Sequence, residues 1–169
     1  MTDADSTTMG LESLYNATAD EDTQQEAFTR GEVPVAVYGL GKMGLPLASV
    51  FAETCGNVIG ADIDPEVVTT IQNGGCHVKR EPGLDSLVAN LVGDRSLRAT
   101  TEPRDAARDA SIHVVIVPTP ITDEKEPDLA ILDTVIGDIA TGLTEGDLVL
   151  IECTVPPQTT EKRVFERLI

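Results

Sequence analysis

Short apolar runs alternate with longer amphipathic stretches along most of this chain. The runs are rich in Val, Ile and Leu, which is typical of strands buried on both faces of a sheet. The stretches between them place apolar residues at helical spacing. Strands are predicted at 33–38, 57–61, 97–100, 112–117 and 148–153, and helices at 45–54, 65–73, 84–91, 103–109, 128–143 and 159–169.

This alternation predicts the fold class. A strand, a covering helix and a second parallel strand are joined by a right-handed crossover, and repeating the unit covers both faces of the sheet. A chain of 169 residues has room for one such unit. We therefore predict an α/β protein with a Rossmann-type doubly wound parallel sheet, in a single domain over residues 33–169.

The first 32 residues have a different composition. They are rich in Asp, Glu, Ser and Thr, and their one basic residue is Arg30. This composition predicts an acidic, flexible extension with a short helix at 22–29. It has neither the basic start nor the apolar centre of a signal peptide, so we expect a cytoplasmic protein.

Charge and cysteine content limit the function classes. The formal net charge is −17, and such a surface repels nucleic acid and anionic membranes. High salt screens self-repulsion of this size, and we favour adaptation to salt over a general solubility device. Cys55, Cys76 and Cys153 are odd in number and lack metal-ligand spacing. We therefore expect no disulfide framework and no metal site.

The first predicted strand and helix are joined by Gly39-Leu40-Gly41-Lys42-Met43-Gly44. In this G-x-G-x-x-G pattern the first glycine allows a tight turn and the second lets a pyrophosphate approach the backbone. The third lets the helix pack closely on the strand, and the helix N-terminus offers free N–H groups to the phosphates. The segment predicts a dinucleotide site.

Asp62 follows the second predicted strand, roughly 20 residues after Gly44, where an acid accepts hydrogen bonds from the adenosine ribose. Its charge would repel the 2′-phosphate of NADP, and no Arg follows closely. NAD is therefore the expected cofactor. Capping of the next helix is the alternative role, but Asp64 suits it better because it directly precedes Pro65.

Three later segments narrow the class of enzyme. They are E-P-G-L at 81–84, P-T-P at 118–120 with P-D-L at 127–129, and E-C-T-V-P-P at 152–157. With the glycine pattern, their order resembles the UDP-glucose/GDP-mannose dehydrogenase family, particularly its UDP-N-acetylmannosamine dehydrogenase branch. Residues 39–48 are also similar to β-hydroxyacid dehydrogenases, but the glycine- and serine-rich segment that those enzymes have after the last strand is absent.

The resemblance implies NAD-linked oxidation of the C6 alcohol of a UDP-sugar to a uronate, in polysaccharide biosynthesis. It implies that Lys42, Met43 and Gly44 contact the pyrophosphate, mainly through the backbone. Thr119 and Thr154 match threonines near the nicotinamide, although capping of strand ends would also explain them. Glu152 matches an acidic position of this branch and is a candidate catalytic residue, with surface packing as its alternative.

Two positions depart from the family pattern, which usually has Ser at Cys153 and commonly Gly at Gln158. The family chemistry uses a nucleophilic thiol, but Cys153 closes an apolar strand, and we expect a small buried hydrophobe there. His113 has no acid or nucleophile paired with it in the sequence, and we expect it to pack in the core or on the surface.

The nucleophilic Cys and the active-site Lys that the resemblance implies would lie beyond Ile169. We therefore expect this chain to bind NAD but not to complete the oxidation, and to meet a UDP-sugar only together with C-terminal domains. A homodimer or a complementing subunit would fit this expectation. The alternatives are a non-catalytic NAD-binding remnant or sensor, and a β-hydroxyacid-type dehydrogenase domain.

Overall fold

A parallel five-stranded sheet lies at the centre of the computed structural model, which describes residues 20–169. Its strands are β1 (Val35–Tyr38), β2 (Val58–Ala61), β3 (Leu97–Thr100), β4 (Ile112–Val115) and β5 (Leu148–Ile151). The helices are α1 (Glu21–Thr29), α2 (Gly44–Cys55), α3 (Pro65–Gln72), α4 (Leu84–Gly93), α5 (Pro103–Asp109) and α6 (Ala130–Ala140). A last helix starts with a π-helical turn at Thr160–Val164 and continues as α7, Phe165–Leu168.

The strand order is β3-β2-β1-β4-β5, and all four pairings are parallel. The chain builds outward from β1 to β3, crosses back, and continues from β4 to β5 on the other side. The order therefore reverses between β1 and β4, and ligands of open α/β sheets bind beyond the carboxyl ends of the strands at such a point. The predicted doubly wound fold is confirmed.

Each face of the sheet has its own core, as the alternation along β1 shows. Val35 and Val37 pack in a cluster with α2 and α4. Ala36 and Tyr38 point the other way, into a cluster with α5 and α6. All four side chains are buried, because helices cover this central strand on both sides.

The structure corrects the ends of two predicted strands. β4 ends at Val115 and β5 at Ile151, two residues earlier in each case than the apolar runs predict. The last main-chain bond between the two segments runs from the N–H of Glu152 to the carbonyl oxygen of Val115, and the next N–H on this side, that of Val117, binds the thiol sulfur of Cys153 instead. β5 was also expected to be fully buried, but it lies at the sheet edge and its side chains are half-buried or exposed.

Part of the predicted N-terminal extension has structure. The short helix expected at 22–29 is found as α1, where Asp20 accepts a 2.7 Å hydrogen bond from the N–H of Thr23. Ala27 is buried against the core and Phe28 packs beside it. The expectation of a flexible extension over residues 1–19 lies outside the described residues.

A polar group lies inside the central strands. His113 of β4 is fully buried, and its Nδ1 lies 3.1 Å from the hydroxyl of Tyr38. Its Nε2 lies 3.7 Å from a carboxylate oxygen of Asp147, and among the described residues it has no hydrogen-bond partner. Burial lowers the pKa of His113, while the charge of Asp147 acts in the opposite direction. The expectation that His113 has no paired acid was wrong, because Asp147 is distant in sequence.

We predict that His113 makes the folded state less stable in acid. Its pKa is lower in the folded than in the unfolded chain, so this contribution is present above about pH 6.5 and is lost as the pH falls. Relative to His113→Gln, the wild type should lose up to about 1.4 kcal/mol of unfolding free energy per pH unit below that value. Urea unfolding at several pH values measures this difference, and parallel curves for the two proteins would contradict it.

Candidate functional site

A cleft of about 900 Å³ lies at the carboxyl edge of the sheet, above the point where the strand order reverses. It brings together all the site residues that the sequence predicts. These are Gly39, Gly41, Lys42, Met43, Gly44, Asp62, Thr119, Glu152 and Thr154. They come from four separate strand ends, so their proximity is a result of the parallel topology.

Main-chain contacts shape the turn from β1 into α2. Gly39 has a φ of 93°, in the left-handed region that favours glycine. A Cβ on Gly44 would overlap the carbonyl oxygen of Gly39. The start of α2 therefore lies against the end of β1, as the third glycine of the pattern predicts.

Gly41 differs from the two glycines beside it in the pattern. A Cβ at Gly41 would meet no atom within 4 Å among the described residues, and its backbone is not in the left-handed region. The protein's own packing therefore does not require glycine here, and Gly41 is one of the residues that line the cleft. This open space is the room that a close-lying ligand needs.

The first turn of α2 leaves main-chain donors without a side-chain cap. Met43 precedes the helix and its side chain makes no capping hydrogen bond. Lys42 and Met43 are exposed and line the cleft. The N–H of Leu45 binds the carbonyl oxygen of Gly41 at 3.1 Å and Pro46 has no N–H, so the positive end of the helix and the N–H groups of residues 42–44 are what an anion such as a pyrophosphate can use.

Asp62 joins the end of β2 to the glycine turn. One carboxylate oxygen accepts a 2.8 Å hydrogen bond from the N–H of Leu40, and the other accepts a 3.0 Å bond from the N–H of Asp64. Capping of α3 falls to Asp64, which accepts from the N–H of Glu66 at 2.9 Å. The assignment of the cap to Asp64 is confirmed. Asp62 itself is half-buried and lines the cleft, so it holds the turn and also faces the site.

The opposite wall of the cleft comes from the segments after β4 and β5. The hydroxyl of Thr119 donates a 2.8 Å hydrogen bond to the carbonyl oxygen of Thr154. Because this proton is committed inside the protein, Thr119 can offer the cleft only an acceptor. Glu152 lies on the same wall, and its N–H binds the carbonyl oxygen of Val115 at 2.8 Å.

Comparison with known sequences identifies the domain. The sequence model described as "UDP-glucose/GDP-mannose dehydrogenase family, NAD binding domain" matches residues 33–169. The chain belongs to this family. The matched segment starts where the sequence predicts the globular part to begin, and the glycine turn, Asp62 and the cleft all lie within it.

Relatives and solved structures agree with this assignment. The chain is 45% identical over 128 residues to an NDP-N-acetyl-D-galactosaminuronic acid dehydrogenase of Ralstonia nicotianae, covering 76% of this chain and 29% of that protein. It is 45% identical over 129 residues to a UDP-N-acetyl-D-mannosamine dehydrogenase of Campylobacter jejuni, covering 76% and 30%. The UDP-D-ManNAc dehydrogenase structure from Pyrococcus horikoshii superposes with a TM-score of 0.74 at 36% identity, covering 80% and 32%. The chain thus spans about three tenths of these proteins.

The two departures of this NAD-binding domain from the family pattern have visible structural consequences. The thiol of Cys153 accepts from the N–H of Val117 and donates to the carbonyl oxygen of Val115, both at 3.4 Å. Burial raises the pKa of this thiol, and the charge of Glu152 adds to the effect. Gln158 has a φ of 72°, a strained conformation for a side-chain-bearing residue, which accounts for the preference for Gly there.

Sequence reasoning missed several cleft residues, from the loop after β2 and from the helices. Ile63 and Pro103 lie on the wall near Asp62, and Thr134 and Asp138 of α6 line the cleft as well. A carboxylate oxygen of Asp138 forms an ion pair with Nε of Arg104 at 2.8 Å. Helical spacing marks the buried face of α6, but nothing local shows which exposed positions reach the site.

Over residues 20–169, no helix is long and apolar enough to cross a bilayer, and no cluster of His, Cys, Asp and Glu could hold a metal ion.

We predict that substitution of Gly44 lowers the stability of the fold, whereas substitution of Gly41 weakens NAD binding. Gly44→Ala should lower the free energy of unfolding by roughly 2 kcal/mol or more, because its Cβ meets main-chain atoms. Gly41→Ala should leave the stability unchanged or slightly higher, since the backbone there accepts a side chain. It should nevertheless weaken NAD binding at least about tenfold, or about 1.4 kcal/mol, because the added methyl group occupies the open space.

Gly93→Ala provides the matched control for Gly41→Ala. Gly93 also has open space around its Cβ position, lies at the end of α4 and does not line the cleft. Thermal unfolding and titration calorimetry with NAD distinguish the outcomes. Equal NAD affinity of the Gly41→Ala and Gly93→Ala variants would contradict the role of Gly41.

Proposed function

We propose that the domain holds NAD across the carboxyl edge of the sheet, with the pyrophosphate on the main-chain amides at the start of α2. The observation that carries this proposal is the open space at Gly41, beside a helix end that no side chain caps. Gly39 and Gly44 shape the turn, and Lys42 and Met43 flank the phosphates. Short-range donors of this kind suit an anionic cofactor on a chain whose net charge is −17.

The two ends of the cofactor follow from the position of Asp62. A carboxylate at the end of β2 accepts hydrogen bonds from the adenosine ribose, which places the adenosine over β2. The nicotinamide then lies beyond the reversal point, over the ends of β4 and β5. Thr119 and Thr154 line that part of the cleft. We assign these two threonines to the nicotinamide end of the site.

We propose that the whole enzyme oxidises the C6 alcohol of a UDP-sugar to a uronate, for polysaccharide biosynthesis. The names of the relatives support a sugar nucleotide as the substrate class. Bound NAD supplies the hydride acceptor, while this chain binds and orients the cofactor. Glu152 is exposed on the nicotinamide side of the cleft, a suitable place for a residue that meets the substrate.

The nucleophile of this chemistry comes from outside this chain in our proposal. Cys153 is the cysteine that lines the cleft, but its thiol is engaged by two main-chain groups and its pKa is raised. A thiol is nucleophilic as the thiolate, which a raised pKa disfavours. Cys55 is buried in the core and does not line the cleft. The UDP-sugar and the catalytic Cys and Lys therefore belong to further domains, in a homodimer or a complementing subunit.

We also propose a cytoplasmic protein adapted to high salt. The three cysteines are free, as suits a reducing compartment. The excess of acids gives a surface whose self-repulsion weakens as salt is added.

We predict that the wild type binds NAD at least about tenfold more tightly than NADP, a difference of about 1.4 kcal/mol. Asp62→Asn should bring the two affinities close together, because the charge that repels a 2′-phosphate is lost. Asparagine keeps one oxygen, which can accept from the N–H of Leu40 and retain the turn, while the N–H of Asp64 loses its acceptor. Asp62→Ala should weaken the preference as well, but it also loses this hydrogen bond.

Asp64→Asn is the control for a general effect of charge. It removes a nearby carboxylate while preserving the cap of α3, since Asn and Asp cap helices similarly well. Titration calorimetry in high salt with both cofactors gives the ratios. Equal affinities in the wild type, or the same ratio for Asp62→Asn and the wild type, would refute the assignment of Asp62.

We predict that the purified chain, with NAD and any UDP-sugar, produces no NADH. The cofactor site is complete in our proposal, but the groups that bind the sugar and the nucleophilic thiol lie elsewhere. Absorbance at the NADH band measures turnover, with a full-length relative as the positive control. Turnover by the pure chain that persists after repurification would contradict this division of roles.

A further inference from the structure

The segments that follow β4 and β5 share one more main-chain bond, from the N–H of Glu152 to the carbonyl oxygen of Val115 at 2.8 Å, and are then joined by side chains. After Val115 and Ile151 the regular pairing stops. The sulfur of Cys153 then accepts from the N–H of Val117 and donates to the carbonyl oxygen of Val115, both at 3.4 Å. The thiol thus takes the place of a main-chain acceptor for Val117 and is a second donor to the carbonyl oxygen of Val115, beside the N–H of Glu152.

A second link lies one residue further along the segment that follows β5. The hydroxyl of Thr119 donates to the carbonyl oxygen of Thr154 at 2.8 Å. Thr119 lies two residues after Val117 in the sequence, and Thr154 directly follows Cys153. The Cys153 thiol therefore links the two segments close in sequence to both Thr119 and Thr154.

We propose that Cys153 is a positioning residue for the nicotinamide half of the cofactor site. Its two hydrogen bonds hold residues 115–119 against residues 152–154, so that Thr119 and Thr154 keep their places on the cleft wall. The proposal deepens the NAD-binding function and rests on it. Cys153 is half-buried and lines the cleft itself, which places the link directly beneath the bound cofactor.

The chemistry of the thiol fits this role. It needs a proton to donate to Val115 and a lone pair to accept from Val117, so it has to be the neutral form. Burial raises its pKa, which keeps the proton in place. A serine hydroxyl can make the same two hydrogen bonds, whereas alanine makes neither and leaves the N–H of Val117 without its partner.

Cofactor fragments separate positioning from general stability. ADP-ribose has the adenosine, pyrophosphate and second ribose of NAD but no nicotinamide. Cys153→Ala should weaken NAD binding about fivefold, as expected for the loss of an ordering hydrogen bond. Its affinity for ADP-ribose should stay within about twofold, and Cys153→Ser should restore most of the affinity for NAD.

Cys76→Ala is the matched control. Cys76 is also half-buried and its thiol donates to a carbonyl oxygen, that of Val78, at 3.5 Å, but it does not line the cleft. Titration calorimetry with NAD and ADP-ribose is run on the wild type and the three variants. Equal weakening of both ligands by Cys153→Ala, no weakening of NAD, or failure of Cys153→Ser to restore binding would overturn the proposal.

Two further outcomes are distinguishable. If the wild type binds neither NAD nor ADP-ribose, the proposed function itself fails. If Cys153→Ala does not fold, hydrogen exchange of the wild type decides the question. The amide of Val117 should be protected more by NAD than by ADP-ribose at saturation, and equal protection by the two ligands would overturn the positioning role.

Discussion

The close approach of α2 to the end of β1 is the constraint on which the cleft depends. Without a side chain on Gly44, the first turn of the helix lies against the carbonyl oxygen of Gly39. The hydrogen bond from Leu40 to Asp62 then ties this turn to β2. Three features of the cleft, namely the turn, the start of α2 and the carboxylate of Asp62, are thereby fixed relative to one another.

The other wall of the cleft is built differently. Beyond β4 and β5, hydrogen bonds from Cys153 and Thr119 replace the regular ladder. Side-chain links of this kind tolerate substitution by chemically similar groups more readily than a glycine that contacts backbone. This difference explains why the first half of the site has a recognisable spacing of glycines, whereas the second half is marked only by short, individually weak segments.

The acidic surface makes the hydrogen-bond donors inside the cleft important for binding an anion. A chain with a net charge of −17 repels an anionic dinucleotide at long range. The uncapped start of α2 and the exposed Lys42 act at short range inside the cleft, where the helix dipole is effective. Salt reduces the long-range repulsion more than these close contacts, so the acidic surface and the anion site are compatible.

The sequence by itself determined the parallel sheet, the order of its elements, the glycine turn and the cap that Asp64 gives to α3, and it marked Asp62 as a candidate for binding the cofactor. These features depend on local patterns: the period of apolar residues, the spacing of glycines and the residue before a proline. Asp62 also binds Leu40, however, and that contact between distant residues could not be read from local spacing.

Only the tertiary structure decided where β4 and β5 end, that His113 faces Asp147, and that α6 contributes Asp138 to the cleft. Each of these results from contacts between residues far apart in the chain. An apolar run continues past Val115, but the N–H of Val117 binds the thiol of Cys153 and not the main chain of the neighbouring segment. The spacing of apolar residues in the sequence indicates which positions are buried. Which polar atoms pair with one another depends on how the whole sheet brings distant segments together.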